Sequence, residues 1–180
     1  MKIRKLEERD LETRVAWMNK PTIYMSMHFD VPVTMEKTFD WFRGNLGSKK
    51  RADLVVEDNS EIVAFCGITG IDAKILKAET YLFVSPYLHH CGIGTKAKRL
   101  MIDYAFNKLG LNKLFVVINE NNDASIALQR KFGYQLEGRF REEYVLTNGM
   151  KMARLYFGLL KEDWQKINYE KLDFNGKKKY

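Results

Sequence analysis

The sequence predicts a mixed α/β (α+β) fold in a single domain, and three observations predict it. Hydrophobic periodicity switches between helical and strand spacing in the order β-α-α-β-β-β-α-β-α-β-β, which excludes purely helical and purely parallel architectures. At 180 residues the chain has material for one core and too little left over for a second. A composition that is 46% hydrophobic and 29% charged fills that core and solvates its surface, so disordered and low-complexity classes drop out. The expected division is a domain over 1–166 and a basic tail over 167–180, ending Lys177-Lys178-Lys179-Tyr180.

Lys2 to Leu6 reads as a short strand, followed by a helix capped near Asp10 with Leu11, Val15 and Met18 on one face. Beyond Pro21 an irregular stretch rich in Met and aromatics (Tyr24, Met25, Met27, His28, Phe29) runs to Pro32. Thr34 then caps a second helix carrying Met35, Phe39 and Phe42, which Gly44 ends. Leu54-Val55-Val56, a turn at Asp58-Asn59-Ser60 and the run Ile62 to Ile71 read as a hairpin, and a further strand, Thr80 to Val84, stops at Ser85-Pro86. Tyr87 to Gly94 is a loop feeding a helix from Thr95 to Leu109, closed by Gly110. The all-apolar run Leu114 to Ile118 predicts a strand covered on both faces. Asn119 to Asp123 form a polar loop, and Ala124 to Lys131 a short helix stopped by Gly133. The strands Gln135 to Val145 and Met152 to Leu160 flank a turn at Thr147-Asn148-Gly149.

The formal net charge of +7 suits an anionic partner, whether a phosphorylated cosubstrate, an acidic substrate, nucleic acid or a membrane surface. Two cysteines, Cys66 and Cys91, are too few for a disulfide framework or a zinc site. The N-terminal Met1 to Lys5 lacks a signal-like apolar run, and no stretch approaches the ~20 apolar residues of a membrane span. A cytoplasmic protein is expected.

The segment Val84 to Thr95 carries the most chemistry, because it runs from a strand through a loop with Gly92 and Gly94 into a helix N-terminus. Free amides and the positive end of the helix dipole converge there, and the glycines let an anion approach the backbone. Glycines at such a turn are also common for structural reasons alone. Lys96, Lys98 and Arg99 follow at once, where a cation opposes the dipole by ~0.3–1 kcal/mol unless a polyanion reverses the balance.

At these residues the chain resembles the GCN5-related N-acetyltransferase (GNAT) superfamily. His89-His90-Cys91-Gly92-Ile93-Gly94 is similar to the family's Gln/Arg-x-x-Gly-x-Gly/Ala motif, with His89 where Gln or Arg is usual. Asn122-x-x-Ser125, Leu128 and Lys131-Phe132-Gly133-Tyr134 are similar to its Asn-x-x-Ala/Ser…Leu-Tyr-x-x-x-Gly-Phe signature. The opening Trp17-Met18-Asn19-Lys20-Pro21 is similar to the branch holding ribosomal-protein N-terminal, spermidine and amino-sugar acetyltransferases. The resemblance implies a mostly antiparallel central sheet flanked by helices, with acetyl-CoA as cosubstrate and no metal. It implies that the cosubstrate is held by the backbone at Phe83 and Val84, by His89, His90, Cys91, Gly92, Ile93, Gly94 and Thr95, and by Asn122, Ser125 and Arg130.

In such a reaction a neutral amine attacks the thioester directly, so a base must remove a proton and a donor must protect the departing thiolate. Glu79, in Ala78-Glu79-Thr80-Tyr81, matches the family's strand pattern and is the first candidate base; a solvent-facing strand Glu is the other reading. Glu142 and Glu143 sit beside Arg139 and Arg141 and read first as a surface charge cluster. The usual phenolic acid is missing, since Gln129 occupies that position. Ser125 is the replacement candidate, with a helix cap or a CoA contact as its alternative role, and Tyr134 reads as core. His89, His90, Cys91 and His28 do not make a metal or thiol-nucleophile site, because adjacent residues point apart.

The expected function is acetyl-CoA-dependent N-acetylation of a primary amine, with the Tyr24 to Phe29 stretch walling the acceptor. The basic charge favours a nucleotide-linked amino sugar, then a protein N-terminus, then a polyamine. The alternative is a non-catalytic CoA-binding or nucleic-acid-associated module on the same fold, motivated by Gln129 and the +7 charge. No aromatic-basic RNA signature supports nucleic acid, no membrane is expected, and a homodimer stays open.

Overall fold

The computed structural model describes residues 1–27, 29–88, 92–145 and 149–167. Its strands are β1 (Lys2–Lys5), β2 (Arg51–Asp58), β3 (Glu61–Asp72), β4 (Lys77–Val84), β5 (Lys113–Asn119), β6 (Gln135–Val145) and β7 (Lys151–Leu160). They form one seven-stranded sheet in the order β1-β2-β3-β4-β5-β7-β6. Every adjacent pair is antiparallel except β4 and β5. The mostly antiparallel mixed sheet expected from the family resemblance is therefore present.

Period-two alternation makes the central strands two-faced. Leu54, Val56, Ala64, Cys66, Ile68 and Ala78 face one core, whereas Val55, Phe65 and Phe83 face another. The first core is closed by α4 (Ile93–Asp103) and by Ile126 of α5 (Asp123–Lys131). The second is closed by α1 (Leu11–Met18), α2 (Pro21–Tyr24) and α3 (Met35–Asn45), through Leu11, Trp17, Ile23 and the partly buried Phe39, Trp41 and Phe42. Helices thus cover both faces of β2, β3 and β4.

Several local expectations are corrected. The buried face of α1 is Leu11, Arg14 and Trp17, an i, i+3 series, with Val15 only half-buried. Asp10 does not cap α1 through its side chain. Its buried carboxylate accepts from the Glu7 amide at 2.8 Å and from Arg4 at 2.6 and 2.8 Å. Thr34 does cap α3, accepting from the Lys37 amide, but the helix runs one residue past Gly44 to Asn45. β5 is not covered on both faces, because only Leu114, Ile118 and Asn119 are buried and Phe115 to Val117 stay partly open. The short helices α2 and α6 (Lys161–Lys166) had no periodicity long enough to read. Thr147, Asn148 and the tail from residue 168 lie outside the described residues.

No helix among the described residues is long and apolar enough to cross a membrane.

Candidate active site

The parallel pair β4–β5 shares only three rungs, Lys77 with Lys113, Ala78 with Leu114 and Glu79 with Phe115. Past Glu79 the two strands separate, bridged at the fork by Thr80 Oγ1, which donates to the Phe115 carbonyl at 3.3 Å. A cleft of about 430 Å³ fills the fork. Its walls are the β4 segment Glu79 to Val84, Val116 to Ile118 of β5, Gly94 and Lys98 of α4, and Asn122, Ser125, Leu128 and Gln129 at α5. Thr22, Ile23, Ser26 and Met27 close one end, so part of the Met-rich stretch does wall the cavity, whereas Met25 is 75% exposed.

At the α4 end, Gly92 takes the cap position at φ 66°, a left-handed conformation that favours glycine, and among the described residues no side chain caps the first turn. Gly94 is different: a Cβ there would meet only Val84 Cγ1 at 3.7 Å, an ordinary contact. The fold therefore requires glycine at 92 and merely permits it at 94, which leaves close approach of a ligand as the reason for Gly94. The uncapped first turn offers amides and dipole to an anion.

The predicted residues are brought together unevenly. Glu79, Phe83, Val84, Gly94, Asn122 and Ser125 all line the cleft. Phe83 contributes backbone, because its ring is buried in the second core. Gly92 and Thr95 sit at the α4 start, and Ile93 is buried in the first core. Arg130 is exposed in the last turn of α5, outside the cleft lining. His89, His90 and Cys91 lie outside the described residues, as does His28, so the metal and thiol readings fall there too. Glu142 is exposed and paired with Lys151 at 2.6 Å, Arg139 reaches Glu120 instead of its neighbours, and Glu143 is exposed; none of these lines the cleft.

Asn122 caps α5 by accepting from the Ser125 amide at 3.0 Å, so the Ser125 hydroxyl is not the cap. Ser125 Oγ accepts from Gln129 Nε2 at 3.5 Å, which leaves its own hydrogen available to a ligand. Gln129 is 3% exposed and its Oε1 has no hydrogen-bond partner among the described residues. An orphaned buried acceptor in a cleft wall is costly unless a ligand satisfies it. Burial pushes the Glu79 carboxyl above its ordinary range, a shift the Arg154 guanidinium opposes. A carboxyl so placed is a stronger base than a solvated one.

Sequence reading grouped Lys98 with the exposed Lys96 and Arg99 as cations whose cost against the helix dipole a bound polyanion would reverse. Instead it is 2% exposed and lines the cleft, with Nζ 4.4 Å from the Tyr134 ring centroid. The available signal was helical spacing, since Lys98 falls on the same stripe as the buried Ile93, Ala97, Met101 and Ile102.

A family model described as an acetyltransferase (GNAT) domain matches residues 1–135. The spermidine N(1)-acetyltransferase of Escherichia coli (strain K12) is 26% identical over 154 residues, covering 85% of this chain and 82% of that protein. A putative ribosomal N-acetyltransferase, YdaF, of Bacillus subtilis (strain 168) is 31% identical over 105 residues, 57% of each chain. Among solved structures, spermidine N-acetyltransferase from Vibrio cholerae in complex with CoA and spermine superimposes with a TM-score of 0.85 at 21% identity, covering 91% of this chain and 96% of that one. The family match spans most of the sequence: the chain belongs to the GNAT family, and it is an N-acetyltransferase that uses acetyl-CoA.

Proposed function

We propose that the acceptor is a short polyamine, acetylated on a primary amine at the Glu79 end of the cleft. The observation that carries this reading is charge: Glu79 and Lys98 are the only ionised side-chain types among the described lining residues, and Lys98 stands on the α4 side. The lining offers an ammonium one carboxylate, Glu79, whereas an acceptor bearing phosphates meets Lys98 as the sole lining cation among the described residues, since the Arg154 guanidinium that acts on Glu79 does not itself line the cleft. This reverses the order that net charge alone favoured. The named relatives from Escherichia coli and Vibrio cholerae support the same choice.

Acetyl-CoA enters with its pyrophosphate over the first turn of α4 and its pantetheine arm along the unpaired edge of β4. Glu79, directly or through water, takes a proton from the ammonium, and the free amine attacks the thioester carbonyl carbon. The carbon–sulfur bond then breaks, and the Ser125 hydroxyl donates a hydrogen bond to the departing sulfur. Thiol release measured with spermidine, spermine, a peptide N-terminus and a nucleotide-linked amino sugar tests the acceptor. Turnover with the polyamines at least tenfold above the others is expected; preference for the sugar or the peptide rejects it. Thermal stabilisation by acetyl-CoA with no turnover on any amine would favour a binding module.

A further inference from the structure

We infer that Lys98 is the proton donor to the CoA thiolate, a role that rests on the acetyl-transfer reading of the same cleft. Three geometric facts carry it. Lys98 is a buried cation in a ligand cleft, and it forms no ion pair to a carboxylate among the described residues. It stands one helical turn beyond Gly94, about 6 Å further along α4 at 1.5 Å per residue. It lines the same cleft as Ser125 and Gln129 of α5, neither of which can release a proton to a thiolate.

Chemistry separates the two donors. A serine hydroxyl can hydrogen-bond a thiolate but does not ionise in the range where a thiol of pKa ~8.5 forms. An ammonium held near neutrality transfers its proton to that thiolate downhill, and acids matched to the operating pH are the effective ones. Burial pushes the Lys98 ammonium down to about 7. The groups that act on it are Cys66 from β3 and Tyr134 from the segment after α5, and Glu79 of β4 lines the same cleft. Burial pushes the Cys66 thiol up to about 12, so it stays neutral and does not compensate the charge. The Tyr134 ring face does so only partly.

The step balances. The amine nitrogen bonds to the acetyl carbon, the sulfur leaves with its electron pair, and the Lys98 ammonium gives that sulfur a proton to make CoA thiol. The proton lost by the amine goes to Glu79 and then to water, and neutral Lys98 regains its own from water when CoA departs.

The test compares the parent protein with Lys98→Met, which keeps length and apolar packing. The readouts are kcat and KM for acetyl-CoA across pH, with CoA affinity followed separately by thermal shift. In the parent, kcat at saturating amine should fall as pH rises through about 7, because Lys98 then loses the proton it donates. In Lys98→Met, turnover near pH 7 should fall by about 10²-fold with little change in KM for acetyl-CoA, and the parent's loss of kcat above pH 7 should vanish. A parent that binds CoA but keeps kcat level or rising above pH 7 overturns the inference alone, and so does a variant that loses CoA affinity while keeping kcat and its pH profile. A parent that binds no CoA overturns this inference together with the acetyl-transfer reading. The parent's own pH profile needs no variant, so misfolding of Lys98→Met leaves the test intact.

Discussion

Glu79 pairs with Phe115 on the last rung of the β4–β5 ladder, so the candidate base stands at the point where the parallel pair comes apart. Its side chain is half-buried at the head of the cleft, and the β4 backbone beyond it has no ladder partner on β5. The same fork therefore raises the carboxyl's basicity by burial and leaves the strand edge beyond it without a β5 partner.

Glu79→Gln keeps size and hydrogen bonding while removing the base. Turnover on a verified amine should fall by ~10²–10⁴ at neutral pH, while acetyl-CoA still raises the melting temperature. The deficit should shrink as pH approaches the amine's own pKa, where free amine no longer needs a base. Equal turnover of parent and variant at neutral pH would eliminate Glu79.

The two glycines of α4 should behave differently. Gly94→Ala meets only an ordinary contact with Val84, so folding should be preserved while acetyl-CoA affinity drops about tenfold or more as the methyl enters the ligand's space. Gly92→Ala forces a side chain into φ 66° and should lower the melting temperature of the ligand-free protein, at a cost of about 1 kcal/mol. Isothermal binding and thermal melts on both variants decide this, and a Gly94→Ala protein that binds normally removes the close-approach argument.

Ser125→Ala should lower kcat more than Gln129→Ala. In the proposed reaction the Ser125 hydroxyl donates to the departing sulfur, whereas Gln129 donates to Ser125 Oγ at 3.5 Å. Steady-state kinetics on the pair settle the order, and the reverse ranking would move the donor role to the Gln129 amide.

How far the sequence reached can be judged from particular residues. The apolar runs Leu54-Val55-Val56 and Ile62 to Ile71 about the turn at Asp58-Asn59-Ser60 marked the hairpin, because strands covered on both faces leave near-continuous apolar runs. The motifs placed Gly94, Asn122 and Ser125 in one cleft, since each does its work close to its own element's start. The partner of Asp10 was illegible. Arg4 lies on β1, and the contact depends on how the turn at Glu8–Asp10 packs beneath that strand. Lys98 was misread because charge was weighed above spacing: its place on the stripe of Ile93, Ala97, Met101 and Ile102 was legible, and the packing of α4 against the sheet shows that it faces inward.

Buried Lys98 and Cys66 should bend the stability of the ligand-free protein in opposite directions with pH. Folding brings the Lys98 ammonium to about 7, whereas in the unfolded chain a lysine titrates near ~10.4. Between these values the unfolded state holds a proton that the folded state has shed, so stability rises with pH from about 7 upward. Cys66 reverses the sign. Its thiol is pushed up to about 12 in the fold but ionises near ~8.5 when exposed, so above that pH the folded state holds the extra proton and stability falls. Tyr81, raised by burial, adds to the fall above ~10. Melting temperature should therefore climb from pH 6.5 to about 8.5 and then flatten or drop. Lys98→Met should be more stable than the parent at pH 7 and lack the climb, since it buries no charge. Cys66→Ala should keep the climb and soften the drop, over a lower baseline from the cavity it leaves. A parent melting temperature that is flat or falling across pH 6.5–8.5 would show that Lys98 is not held in the desolvated wall on which its proposed proton transfer depends.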